Sequence, residues 1–134
     1  MKEIVTNELV DLFVNTWNRD NNKWREVHKG WINQGWCYQF AILLRRLHGG
    51  ELWYDNGHAW VKINGRFYDS DHPEGVEDVR SIASFHGTQP IESNVDEEHF
   101  IRMWRHGGSG EVQVVMIEEI ANIYRQMKLI EVSA

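Results

Sequence analysis

The dipeptide Asn64-Gly65, set between HAWVKI and RFYDS, constrains this chain more than any other feature. Both positions tolerate positive φ, so the pair favours the two-residue turn that joins antiparallel strands. The hairpin so predicted runs out from His58 to Ile63 and returns from Arg66 to Ser70. A two-residue loop also fixes the register: Ile63 faces Arg66, Trp60 faces Asp69, and His58 faces Asp71. Side chains alternate along a strand, so His58, Trp60, Asp69 and Asp71 project from one face. Asp71 is then the direct neighbour of His58, and Asp69 a diagonal one still within reach.

The segments around the hairpin read mostly as helices. Val5, Leu9, Leu12, Phe13 and Trp17 recur at helical spacing and predict an amphipathic helix over 4–19. Residues 24–35 lack periodicity and read as a loop. Phe40, Leu43, Leu44 and Leu47 make the apolar stripe of a second helix over 36–48, with Arg45 and Arg46 outside it and Gly49-Gly50 ending it. A short strand follows over 51–54, and Asp55-Asn56-Gly57 turns the chain into the hairpin. HPEGVEDV and TQPIESN read as loops, 79–86 as a short helical turn, and 95–106 as a helix ended by GGSG. The last segment carries both signals: a β-branched start, then Ile120, Ile123, Tyr124 and Met127 at helical spacing. The class expected is α+β, a small antiparallel sheet packed against helices. A chain of 134 residues fits a single domain, with its site region over 31–80.

Cys37, the only cysteine, opens the second helix in GWCYQFA. Taken singly, a cysteine is more often a small buried hydrophobe than a nucleophile. Its order before a His strand and an Asp strand gives it a chemical reading. A helix N-terminus carries partial positive charge, and a neighbouring imidazolium favours the thiolate. A carboxylate on the far side of the imidazole fixes its tautomer and stabilises its charged form. Such a thiolate attacks carbonyl carbon. Cys37 is thus the candidate nucleophile, His58 the general base and acid, and Asp69 the orienting carboxylate, with Asp71 the alternative. The Cys37 amide is a candidate oxyanion donor. Gln34 and Trp36 are candidates for a second donor, and Trp60 for substrate contact.

These motifs, Cys37 in GWCYQFA, His58 in GHAWVKI and Asp69 in GRFYDSD, resemble the transglutaminase-like branch of the papain-like cysteine enzymes. They are similar also to small bacterial and phage proteins with the same Cys-helix, HAWV and YDS arrangement. The resemblance covers about residues 31–80. The short spacing from Cys37 to His58 implies a minimal core, and the family's Asp usually lies further past the His than Asp69 does. The resemblance implies peptide or amide hydrolysis, deamidation, glutamine cross-linking or acyl transfer, without a cofactor, on a protein, peptide or small amide or acyl substrate. It also allows a catalytically inactive binding module or a phage accessory protein, a reading that the seven Trp residues favour.

Other function classes find less support. A net charge of −6 argues against nucleic-acid binding. No apolar run is long enough to span a bilayer, and the N-terminus lacks the pattern of a secretory signal. The expected location is the cytoplasm, of a bacterium or a phage-infected host. The remaining histidines show no paired spacing of a zinc site, and a metal held by His58, Asp69, Asp71 and His72 is the weaker reading.

Overall fold

The computed structural model describes residues 4–19, 27, 30, 32–33, 36–55, 57–83, 91–103 and 110–133. Helix α1 spans Asn7–Arg19. It starts later than its apolar stripe because Thr6 caps it, with Oγ1 accepting the Leu9 N–H at 3.2 Å. The Ile4 and Val5 amides donate instead to the Pro73 carbonyl, at 3.2 and 3.4 Å. Leu9, Val10, Phe13, Thr16 and Trp17 form the buried stripe. Helix α2 spans Cys37–His48 and ends where Gly49, at φ 78°, donates its N–H to the Arg45 carbonyl.

The chain then builds strands β1 (Glu51–Tyr54), β2 (Ala59–Ile63), β3 (Arg66–Asp69) and β4 (His72–Val76). Strand β5 (Glu92–Val95) returns to the other side of β1, giving the antiparallel order β4-β3-β2-β1-β5. The expected hairpin register holds: Ile63 pairs with Arg66, Lys62 with Phe67 and Val61 with Tyr68. Asn64 and Gly65 take φ of 50° and 80°, as the tight turn requires.

Two segments expected to be loops are strands. HPEGV forms β4, and ESN at the end of TQPIESN joins Val95 to form β5. Both are edge strands, where Pro and Gly are tolerated because one side of the backbone needs no partner. Residues 88–90 of the second segment, and most of the loop expected over 24–35, lie outside the described residues. The short turn expected over 79–86 appears as a 3-10 turn at Val79–Ser81, its later part lying outside the described residues. The helix expected over 95–106 is α3, Glu97–Met103. The ambiguous C-terminal segment is helical throughout, as α4 over Gly110–Ser133.

Helix α2 lies against β2 and against α4, which also meets α1. Between them sits the main core, with Leu9, Phe13, Phe40, Leu43, Leu44, Leu52, Val61, Phe100, Ile117 and Ile120 buried. The opposite sheet face carries a smaller cluster of Trp60, Phe67, Ile82 and Ala83. Arg46, expected to lie outside the apolar stripe, bonds Glu97 at 2.8 Å and also Glu118, tying α2 to α3 and α4. The architecture is α+β, with a five-stranded antiparallel sheet and helices. Among the described residues no helix is long and apolar enough to cross a membrane.

Candidate active site

Cys37 is the first residue of α2, where the helix leaves backbone N–H groups without intrahelical partners. Trp36 precedes it at φ −123° without a side-chain cap, and the first turn holds no acidic residue. The helix end therefore presents its partial positive charge to Cys37 uncancelled by a carboxylate of its own. Cys37 and Trp36 are buried, at 6% and 8% exposure. Their packing is with the main core.

His58 sits just before β2, fixed by Asp55. The Asp55 carboxylate accepts the N–H groups of Gly57 and His58, each at 2.9 Å. The Asp55 amide donates to the His58 carbonyl at 3.0 Å. This turn clamps the His58 backbone, so the imidazole enters the site from a rigid base. Its ring lies beside Trp60, with centroids 5.7 Å apart.

The carboxylate partner is Asp69. His58 Nε2 is 2.6 Å from Asp69 Oδ2. Cys37 also lies close enough to the His58 imidazole to contribute to its charge state. Burial pushes the His58 pKa down, but the hydrogen bond to Asp69, the hydrogen bond and charge of Cys37, and the Asp69 charge outweigh it. They raise the pKa to about 9. Burial pushes the Asp69 carboxyl up, and the hydrogen bonds and charges of His58 and His72 overcome this to hold it below the usual carboxylate value. His58 is thus favoured as the imidazolium and Asp69 as the carboxylate near neutral pH.

Asp69 is fully engaged as an acceptor. Oδ2 takes the His58 bond and a second from Asn33 Nδ2 at 3.1 Å. Oδ1 takes the Asp71 N–H at 2.9 Å and faces His72 Nδ1 at 2.6 Å. A buried carboxylate is tolerable when its lone pairs are satisfied in this way.

Asp71 does not occupy the position beside His58 that the hairpin arithmetic gave it. The chain leaves β3 after Asp69 and turns through Ser70 and Asp71 into β4, so Asp71 is carried off the ladder and is exposed. Its carboxylate accepts from Asn33 Nδ2 at 3.0 Å. Trp60 is fully buried in the smaller cluster, and its indole N–H has no hydrogen-bond partner among the described residues. Gln34 lies outside the described residues.

Three residues around the site carry roles that the sequence did not assign them; for His72 it offered only a metal-ligand reading. Asp55 holds the His58 backbone. Asn33 bonds Asp69 and Asp71 through Nδ2 and accepts from Ser70 Oγ at 3.1 Å. His72 shares the Asp69 carboxylate. Tyr38, next to Cys37, has its pKa raised to about 12 by burial and by the charges of Cys37, Asp55 and Tyr54. It therefore stays a neutral phenol beside the site. Among the described residues no group of three or more His, Cys, Asp or Glu is arranged to hold a metal.

Chemically, the arrangement is a thiol near an imidazole that a buried carboxylate fixes through Nε2. Comparison with protein-family models, with curated proteins and with solved structures gives no match.

Proposed function

We propose that this chain is a cysteine-dependent hydrolase or acyltransferase of the transglutaminase-like type, acting on an amide or acyl bond. The observation that carries the reading is the buried His58 imidazole bonded to Asp69, with Cys37 near enough to help raise its pKa. The succession of a Cys-opened helix, a His at a strand start and an Asp at the end of the next strand supports the family resemblance.

In this reading the Cys37 thiolate attacks the carbonyl carbon, forming a C–S bond while the carbonyl electrons move to oxygen. The N-terminus of α2 offers that oxyanion backbone N–H groups, that of Cys37 foremost. As the tetrahedral species collapses, the His58 imidazolium gives its proton to the departing amine, and a thioester remains on Cys37. Water or a second amine then attacks the thioester as His58 removes its proton. Sulfur leaves as the thiolate and the site is restored. Water gives hydrolysis or deamidation; an amine gives transfer. Asp69 keeps the imidazole oriented throughout and stabilises its charged form. The lone cysteine suits a reducing compartment such as the cytoplasm.

Mass spectrometry after brief exposure to an activated acyl ester tests the reading. The expected product is a thioester on Cys37 in the wild type and none in His58→Ala. No adduct on Cys37 in the folded wild type would overturn it.

A second reading, a catalytically inactive binding module, is favoured by the low exposure of Cys37 within the main core. It requires that Cys37→Ala leave every function of the protein intact.

A further inference from the structure

Asp69 is flanked by two imidazoles. His58 approaches Oδ2 from within, and His72 approaches Oδ1 from the outer side, each at 2.6 Å. The His72 side chain is about a third exposed, whereas those of His58 and Asp69 are buried. An ionised carboxylate only accepts hydrogen bonds, so both rings must donate to it. Neutral His72 must then be the Nδ1–H tautomer, with Nε2 free of the proton. Oδ1 also accepts the Asp71 N–H at 2.9 Å, so His72 is the second donor on that oxygen and completes the restraint on the carboxylate plane.

The placement of His72 is itself built in. It lies in β4, directly opposite Asp69 across the Ser70-Asp71 turn. The Ile4 and Val5 amides fasten the next residue, Pro73, through its carbonyl. The Arg66 guanidinium fastens the Glu74 and Gly75 carbonyls at 3.2 and 2.8 Å. An edge strand anchored from both sides delivers the His72 ring to one place.

We propose that His72 is a positioning residue for the Cys37–His58 pair: its Nδ1–H fixes the Asp69 carboxylate so that Oδ2 stays directed at His58. The role rests on the reading of Cys37 and His58 as a reacting pair, and goes beyond it in making the site a His–Asp–His arrangement with one outward-facing member.

The test compares the wild type with His72→Ala and His72→Asn, because the Asn amide nitrogen can stand where Nδ1 stood. Ring NMR gives the His58 titration midpoint and the His72 tautomer, and iodoacetamide gives the alkylation rate of Cys37. In His72→Ala the His58 midpoint is expected to fall by about one pH unit, with Cys37 alkylation at pH 7 slowed about threefold or more. His72→Asn is expected to restore most of both. Neutral His72 in the wild type is expected to carry its proton on Nδ1. A folded His72→Ala protein with an unchanged or raised His58 midpoint would overturn the proposal, as would a wild-type His72 protonated on Nε2 alone. Both NMR readouts are independent of Cys37 reactivity. A Cys37 that is inert in all three proteins, with the His58 shifts as expected, would overturn the thiol enzyme and leave the positioning intact.

Discussion

His58 Nε2 and Asp69 Oδ2 stand 2.6 Å apart with both side chains buried, at 8% and 4% exposure. Burying two such groups is costly, and breaking the pair by removing one partner leaves the other without compensation. The Asp55 clamp on the His58 backbone and the further donors on Asp69 account for how the pair is held. Its consequences can be measured.

The two neighbouring aspartates should behave differently. Asp69→Asn removes the charge that holds His58, and is expected to destabilise the fold by about 3 kcal/mol and to lower any acyl transfer about a hundredfold or more. Asp71→Asn changes an exposed group and is expected to move stability by about 0.5 kcal/mol or less. Chemical denaturation and thioester formation on Cys37 check both. Equal effects of the two substitutions would contradict the assignment.

The pair also sets a pH window. The His58 pKa is raised to about 9, so its contribution is complete below the ordinary imidazole value of about 6.5 and lost as pH rises through the raised value. The Asp69 pKa is lowered, so its contribution is complete above the ordinary carboxylate value of about 3.9 and lost as pH falls through the lowered one. Tm measured against pH for the wild type and Asp69→Asn should therefore differ most between about pH 4 and 6.5, converging above and below. A difference independent of pH would show that the ion pair is not its source.

Asn33 ties a loop residue to the site, donating to both Asp69 and Asp71. Asn33→Ala leaves two carboxylates close together without their shared donor, and is expected to cost about 1–2 kcal/mol. Asn33→Ala combined with Asp71→Asn should cost less than the sum of the two, since the like charge is gone. A double-mutant cycle in urea reads the coupling directly.

Much of this site was legible from one dipeptide. Asn64-Gly65 fixed the register of β2 and β3, and the order of Cys37, His58 and Asp69 did the rest. The misplacement of Asp71 came from running the ladder past its end. Ser70-Asp71 is a second two-residue turn, and HPEGV hid the strand beyond it because Pro73 and Gly75 suit only an edge. Reading that turn as a hairpin would have set His72 opposite Asp69. Asn33 left no such signal: it is far from Asp69 in sequence and sits in a segment without periodicity. In α4 the β-branched residues at the start yielded to the helical spacing of Met116, Ile117, Ile120, Ala121 and Tyr124, which bury against the core.

Gly50 joins α2 to β1 at φ 98°, and a Cβ there would meet the Lys62 carbonyl oxygen and the Ile63 side chain. Gly50→Ala is therefore expected to destabilise by about 2–4 kcal/mol, combining strained backbone with a clash. Gly65, at φ 80° with open space around it, should cost only about 1 kcal/mol as Gly65→Ala. Thermal melts of the two variants give the ranking, and the reverse order would contradict the close approach at Gly50.

The pH profile of Cys37 alkylation by iodoacetamide, in the wild type and in His58→Ala, tests the proposed thiol–imidazole pair most directly. The expected result is a wild-type rate that persists down to about pH 6, and a His58→Ala rate at least about tenfold lower there, rising with pH like that of an ordinary thiol. Superimposable profiles for the two folded proteins would contradict a Cys37 activated by His58.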